Sequence, residues 1–282
     1  MESNKQNNIL AYLLLSIAVL LVLCLIAAAT LGVVTMTKSG NTTPTPPTIT
    51  ESETNTDAKP VLVDPITVTL TETPDAGMKY IDKMVFFGES TTAHLRSRGV
   101  LTGGADTKQV WADASGTRML SSRTTSEPIL YPETGESLTV AKACAAKQPE
   151  YLVLCFGLNG INGFLQDKNS YVSAYNKLIR AVQEASPNTK IILQAVYPVT
   201  NGSGSQAFGV DIATLNENIN TLNSWLPEIA ASHQNVRVVN TAEALKNIDG
   251  ALSDTYNNGD GVHLTASAYE VMLDYLRTHA WQ

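Results

Sequence analysis

Cysteine is scarce in this chain, with three among 282 residues, and that excludes a disulfide-dense scaffold. Charge is thin as well: Lys, Arg, Asp and Glu make up 16%, 26 acids outnumber 19 bases, and the formal net charge is -7. Lys and Arg never gather into a run, so no concentrated basic face exists for a nucleic-acid phosphate backbone. The chain also lacks a His-Glu-x-x-His metal motif and a Gly-x-x-x-x-Gly-Lys phosphate loop, and no metal or cofactor is expected. Internal repeats are missing. Histidine occurs only four times, as His94, His233, His263 and His279, so histidine chemistry has few places to reside.

What the chain does have begins with an apolar run. Residues 9–34 contain no charged side chain, and as a helix they exceed the roughly 30 Å of bilayer hydrocarbon. A cleaved signal peptide has a shorter apolar region, so the reading is a signal anchor over 9–36 behind a cytoplasmic stub at 1–8. Cleavage near Ala27 to Ala29 is the alternative. Lys5 and Lys38 nearly balance across the run and give little orientation. Residues 37–75 are rich in Thr, Pro, Asn, Ser and Glu, a composition that stays extended and solvated. Together these segments predict a single-pass cell-membrane protein whose bulk is extracytoplasmic, tethered within reach of a cell wall or surface polymer. Cys24 falls in the apolar run. Cys144 and Cys155 fall on a predicted helix and a predicted buried strand, where inert thiols are the default and a bridge stays open.

The remaining residues, 76–282, read as one domain. Short apolar runs at 84–87, 151–156, 191–197 and 236–239 end in Gly, Pro or Asn, as strands covered on both faces do. Helical patterns at 137–147, 170–185, 212–231 and 266–279 alternate with them. The outcome is an α/β fold with a central parallel sheet between helical layers. Ligands in such sheets bind beyond the carboxyl ends of the strands, which points to Gly88-Glu89-Ser90-Thr91, to Gly157-Leu158-Asn159-Gly160 and to the loop after Asn240.

Ser90 should open a helix, where free N–H groups favour developing negative charge. A serine hydroxyl becomes a useful nucleophile only beside a base; without one, Ser90 is an N-cap. His263 lies in Gly259-Asp260-Gly261-Val262-His263-Leu264, and an acid three residues earlier can hold its Nδ1–H and leave Nε2 free. His94, four residues after Ser90 and on the same helical face, is the rival base. His233 and His279 lack informative neighbours and are expected to be exposed. The Asn159 amide can donate to an oxyanion, although Asn-Gly is also a common turn pair.

In this order the three segments resemble the SGNH, or GDSL, hydrolase family over about residue 80 to the end. Gly88-Glu89-Ser90 resembles its nucleophile block, Gly157-Leu158-Asn159-Gly160 its asparagine block and Asp260-Gly261-Val262-His263-Leu264 its Asp-x-x-His block. The resemblance implies a three-layer flavodoxin-like fold and a serine ester hydrolase without cofactor. It makes Ser90 the nucleophile, His263 the base and Asp260 its orienter. The oxyanion hole would combine Ser90, Asn159 and a further glycine, chosen as Gly116 in Ala114-Ser115-Gly116-Thr117 ahead of Gly103 or Gly104. Glu89 stands where the family has aspartate, and its extra methylene is expected to disturb hydrogen bonds at the nucleophile turn. Ala268 replaces a common glycine. An acylated carbohydrate or other ester would be the substrate, with O-acetyl groups of a wall or surface polysaccharide first. Acyl transfer, lipid acyl hydrolysis and non-catalytic carbohydrate binding are the alternatives.

Overall fold

The computed structural model describes residues 67–113 and 115–282. The expected anchor over 9–36, its stub at 1–8 and most of the 37–75 linker lie outside the described residues. Among those described, no helix is long and apolar enough to cross a membrane.

Five parallel strands form the main sheet: β1 (Met84–Gly88), β2 (Val110–Trp111), β5 (Tyr151–Cys155), β6 (Lys190–Gln194) and β7 (Val236–Val239), in the order β2-β1-β5-β6-β7. A separate antiparallel pair joins β3 (Ile129–Leu130) to β4 (Ser137–Leu138). The helices are α1 (Met78–Ile81), α2 (Ser90–Arg98), α3 (Val140–Lys147), α4 (Ile161–Gln166), α5 (Lys168–Ala185), α6 (Ser203–Gln206), α7 (Ile212–Ala231) and α8 (Ala266–Thr278).

The apolar runs follow from burial on both faces of the sheet. Successive side chains of a strand point to opposite faces. Val85, Phe87, Leu152 and Leu154 accordingly enter one core with Val140, Tyr171, Tyr175, Leu178 and Leu222 from α3, α5 and α7. Met84, Phe86, Tyr151, Val153 and Cys155 enter the other with Leu95, Tyr269, Met272, Leu273 and Leu276 from α2 and α8. Each fully buried side chain of this size contributes about 1.5–3 kcal/mol. Side chains cap the helix starts: Thr139, Asp167, Asp211 and Thr265 each accept a backbone N–H from the first turn.

Two element bounds shift. The helix expected from 137 starts at Val140, because Ser137 and Leu138 pair with β3. The strand expected over 191–197 runs from Lys190 to Gln194. Ahead of the expected domain start at 76, Val68 is buried and Thr69 bridges Val238 in parallel.

From β1 the chain first moves outward to β2 and then returns to β5 on the other side of β1. That reversal opens a crevice between the carboxyl ends of β1 and β5.

Candidate active site

Ser90 leaves β1 at this crevice as the first residue of α2, with Glu89 as the N-cap. Gly88 makes the turn sterically feasible, because a Cβ there would collide with the Thr92 side chain and the Cys155 carbonyl oxygen. The first N–H groups of a helix, that of Ser90 included, have no acceptor in a preceding turn.

The loop ahead of α8 brings its side chains to the same point. His263 Nε2 lies 2.9 Å from Ser90 Oγ, across 173 positions of sequence. His263 Nδ1 lies 2.6 Å from Asp260 Oδ2. Asp260 Oδ1 accepts the backbone N–H groups of Val262 and His263 at 2.9 and 2.8 Å. Burial pushes the Asp260 carboxyl up, but these bonds together outweigh it and hold the group at about 2. Asp260 is therefore ionised at neutral pH, the form that accepts Nδ1–H and leaves Nε2 to face the serine. The loop itself is tied to the segment after β6: Gly204 N–H donates to the Asp260 carbonyl and Thr200 N–H to that of Gly261, both at 2.9 Å.

Asn159 sits in the turn between β5 and α4. Its side-chain amide donates to the Arg118 carbonyl at 3.4 Å and keeps a second hydrogen for another acceptor. Gly116 is placed differently from a free donor. Its N–H donates to Asp113 Oδ1 at 2.7 Å, in a turn that also holds the Ser115 N–H and hydroxyl. Arg118, almost fully buried, pairs with Asp113 and Glu127 at 3.4 and 3.0 Å and anchors this loop.

Glu89 does not leave the nucleophile turn without bonds. Its carboxyl is buried and reaches across the crevice, where Oε1 accepts Gly157 N–H at 3.0 Å and Oε2 accepts Asn159 N–H at 3.1 Å. The extra methylene thus spans the gap between the serine turn and the asparagine turn. Burial nevertheless raises its pKa to about 8 against the pull of those N–H groups. The sequence marks Glu89 as a departure, but its partner Gly157 lies 68 positions away, beyond any local signal. The Asp113 turn was also missed, although an acid two and three residues ahead of Ser115 and Gly116 is a recognisable local signal.

The other histidines are less exposed than expected. His233 Nε2 lies 2.7 Å from Asn176 Oδ1, and His279 stacks on Tyr275 at 3.7 Å. Cys144 and Cys155 are free thiols in the two different cores. Among the described residues no group of His, Cys, Asp and Glu could hold a metal ion.

No curated protein matches the chain. Similar solved structures include the periplasmic domain of a lipopolysaccharide acetyltransferase from Salmonella ser. Paratyphi A, with 18% identity, a TM-score of 0.45, and coverage of 69% of this chain and 82% of that one. A family 3 carbohydrate esterase from Talaromyces cellulolyticus is similar at 14% identity and a TM-score of 0.43, covering 69% and 93%. A family two carbohydrate esterase from Clostridium thermocellum in complex with cellohexaose is similar at 15% and 0.42, covering 69% and 62%. Likeness this distant decides no point of chemistry. The sequence itself is more specific: residues 86–271 match the GDSL-like lipase/acylhydrolase family, so the chain belongs to that family of ester hydrolases.

Proposed function

We propose that this ester hydrolase is a membrane-anchored, extracytoplasmic serine esterase that removes O-acetyl or other short acyl groups from a cell-wall or surface polysaccharide. The observation that carries the catalytic part is the unbroken line of contacts from Ser90 Oγ through His263 to Asp260. In this reading Ser90 attacks the ester carbonyl while Nε2 of His263 takes its proton. Asp260 stays ionised and stabilises the imidazolium. The proton then passes to the departing alcohol, and a water activated by the same nitrogen releases the acid.

The charge that develops on the carbonyl oxygen is met by the Ser90 N–H and the spare hydrogen of the Asn159 amide. The Gly116 N–H joins them only if it leaves Asp113. Each such donor contributes about 3–4 kcal/mol to the barrier when it is aimed in advance. The polysaccharide substrate rests on the anchor and linker read in residues 9–75, which would hold the domain at a cell surface.

The test uses the purified full-length protein in detergent. Serine-directed fluorophosphonate should label it, and it should hydrolyse p-nitrophenyl acetate; both should vanish in Ser90→Ala. His263→Ala should lower turnover by about 10⁶-fold and Asp260→Asn by less, about 10⁴-fold. Full activity in His263→Ala with loss in His94→Ala would overturn the base. Release of acetate from isolated wall polysaccharide checks the substrate. Acylated sugar formed when an acceptor is supplied would redirect the proposal to acyl transfer.

A further inference from the structure

His94 is not used in the chemistry above, yet it lies against it. It is one turn after Ser90 on α2, on the same helical face. Its ring centroid is 4.5 Å from that of His263, with the planes tilted by 40°. His94 Nδ1 is buried and has no hydrogen-bond partner among the described residues. A buried N–H without an acceptor is costly, so the tautomer that fits leaves Nδ1 as a bare lone pair.

We propose that His94 is a positioning residue for the candidate base, a neutral wall that holds the His263 ring toward Ser90 without adding charge against the imidazolium formed there. The inference rests on His263 being that base. Asp260 holds the His263 ring at Nδ1 and Ser90 meets it at Nε2, but two contacts in the ring plane still allow the ring to rock about the axis between them. A second ring packed 4.5 Å away and tilted by 40° restrains the rocking, and displacements of about 1 Å at a reacting atom cost up to about 10²-fold in rate.

The charge state matters equally. Burial lowers the pKa of His94 first, and the neighbouring His263 and Arg98 lower it further, while Asp260 opposes them. These are the charged groups that act on it from its own helix and from the facing loop. A neutral ring at this distance adds no positive charge against a developing cation on His263. A cation at the same place would instead make protonation of His263 harder. A residue that merely filled space would influence stability and leave the protonation of the base untouched.

The test is made on full-length protein with three variants. His94→Ala should lower kcat about tenfold with KM unchanged within about twofold, and should broaden the downfield proton resonance of His263 Nδ1–H. His94→Phe, which restores a neutral ring, should recover both the rate and the resonance. His94→Lys, which introduces a fixed positive charge, should shift the acid limb of the kcat profile to lower pH than in the Phe variant. Wild-type kcat and resonance in His94→Ala, with only a lower melting temperature, would overturn the proposal. So would a folded His94→Phe that recovers neither, or an acid limb identical in the Lys and Phe variants. Activity retained in His263→Ala would remove the base assignment itself, a result read independently of every His94 variant.

Discussion

Replacing Glu89 with Gln tests the bridge beneath the candidate active site. The carboxyl accepts Gly157 and Asn159 N–H with separate oxygens; an amide of the same size offers one oxygen and turns an NH₂ toward the other donor. Leaving one buried N–H without an acceptor costs about 1–3 kcal/mol, so Glu89→Gln should be less stable by that amount at pH 5. The pH dependence then discriminates further. Burial holds the folded pKa at about 8 against a reference of 4.5, so between those values the folded state binds more protons than the unfolded one. Stability contributed by the neutral carboxyl is complete below 4.5 and is withdrawn as pH rises toward 8, by up to about 5 kcal/mol. Glutamine does not titrate. Urea unfolding from pH 5 to pH 8 should therefore show the wild type losing its advantage and falling level with or below the variant. A stability gap that stays constant across that range would refute the reasoning.

Three further outcomes are expected. Asn159→Ala should reduce kcat about 10²–10³-fold with little change in KM, since its amide would act mainly on the developing oxyanion; steady-state kinetics on p-nitrophenyl acetate check this. Gly202→Ala should abolish turnover and lower the melting temperature, because a Cβ there would collide with the backbone of Asp260 and Gly261; unimpaired hydrolysis would show that the loop yields easily. Cys144 and Cys155 should resist thiol reagents in the native state and react in urea, as burial raises the Cys144 thiol to about 12 and pushes Cys155 up as well.

The strands at 84–87 and 151–156 were legible because a strand covered on both faces must be apolar at every position, and each of the two cores claims alternate residues. The start of α3 was not, because Ser137 and Leu138 satisfy a helical pattern equally well and only pairing with β3 removes them from it. At the site, Asp260 and His263 were readable because three residues of loop suffice to join them. Glu89, Gly116 and His94 were less so. The reach of Glu89 depends on the gap between two turns, the Gly116 N–H on a carboxylate competing for it, and the role of His94 on a ring delivered from the far end of the domain.

The contact between Ser90 and His263 across 173 positions also orders events in time. A ribosome that has completed β7 has already produced the serine, Glu89 and Asn159, the whole floor of the crevice, but neither member of the Asp260–His263 pair. In the proposed mechanism the nascent chain is therefore chemically silent, and a fragment cut anywhere between β7 and Asp260 stays so. In that mechanism hydrolytic competence waits for the loop ahead of α8, which alone brings His263 to Ser90 at the start of α2.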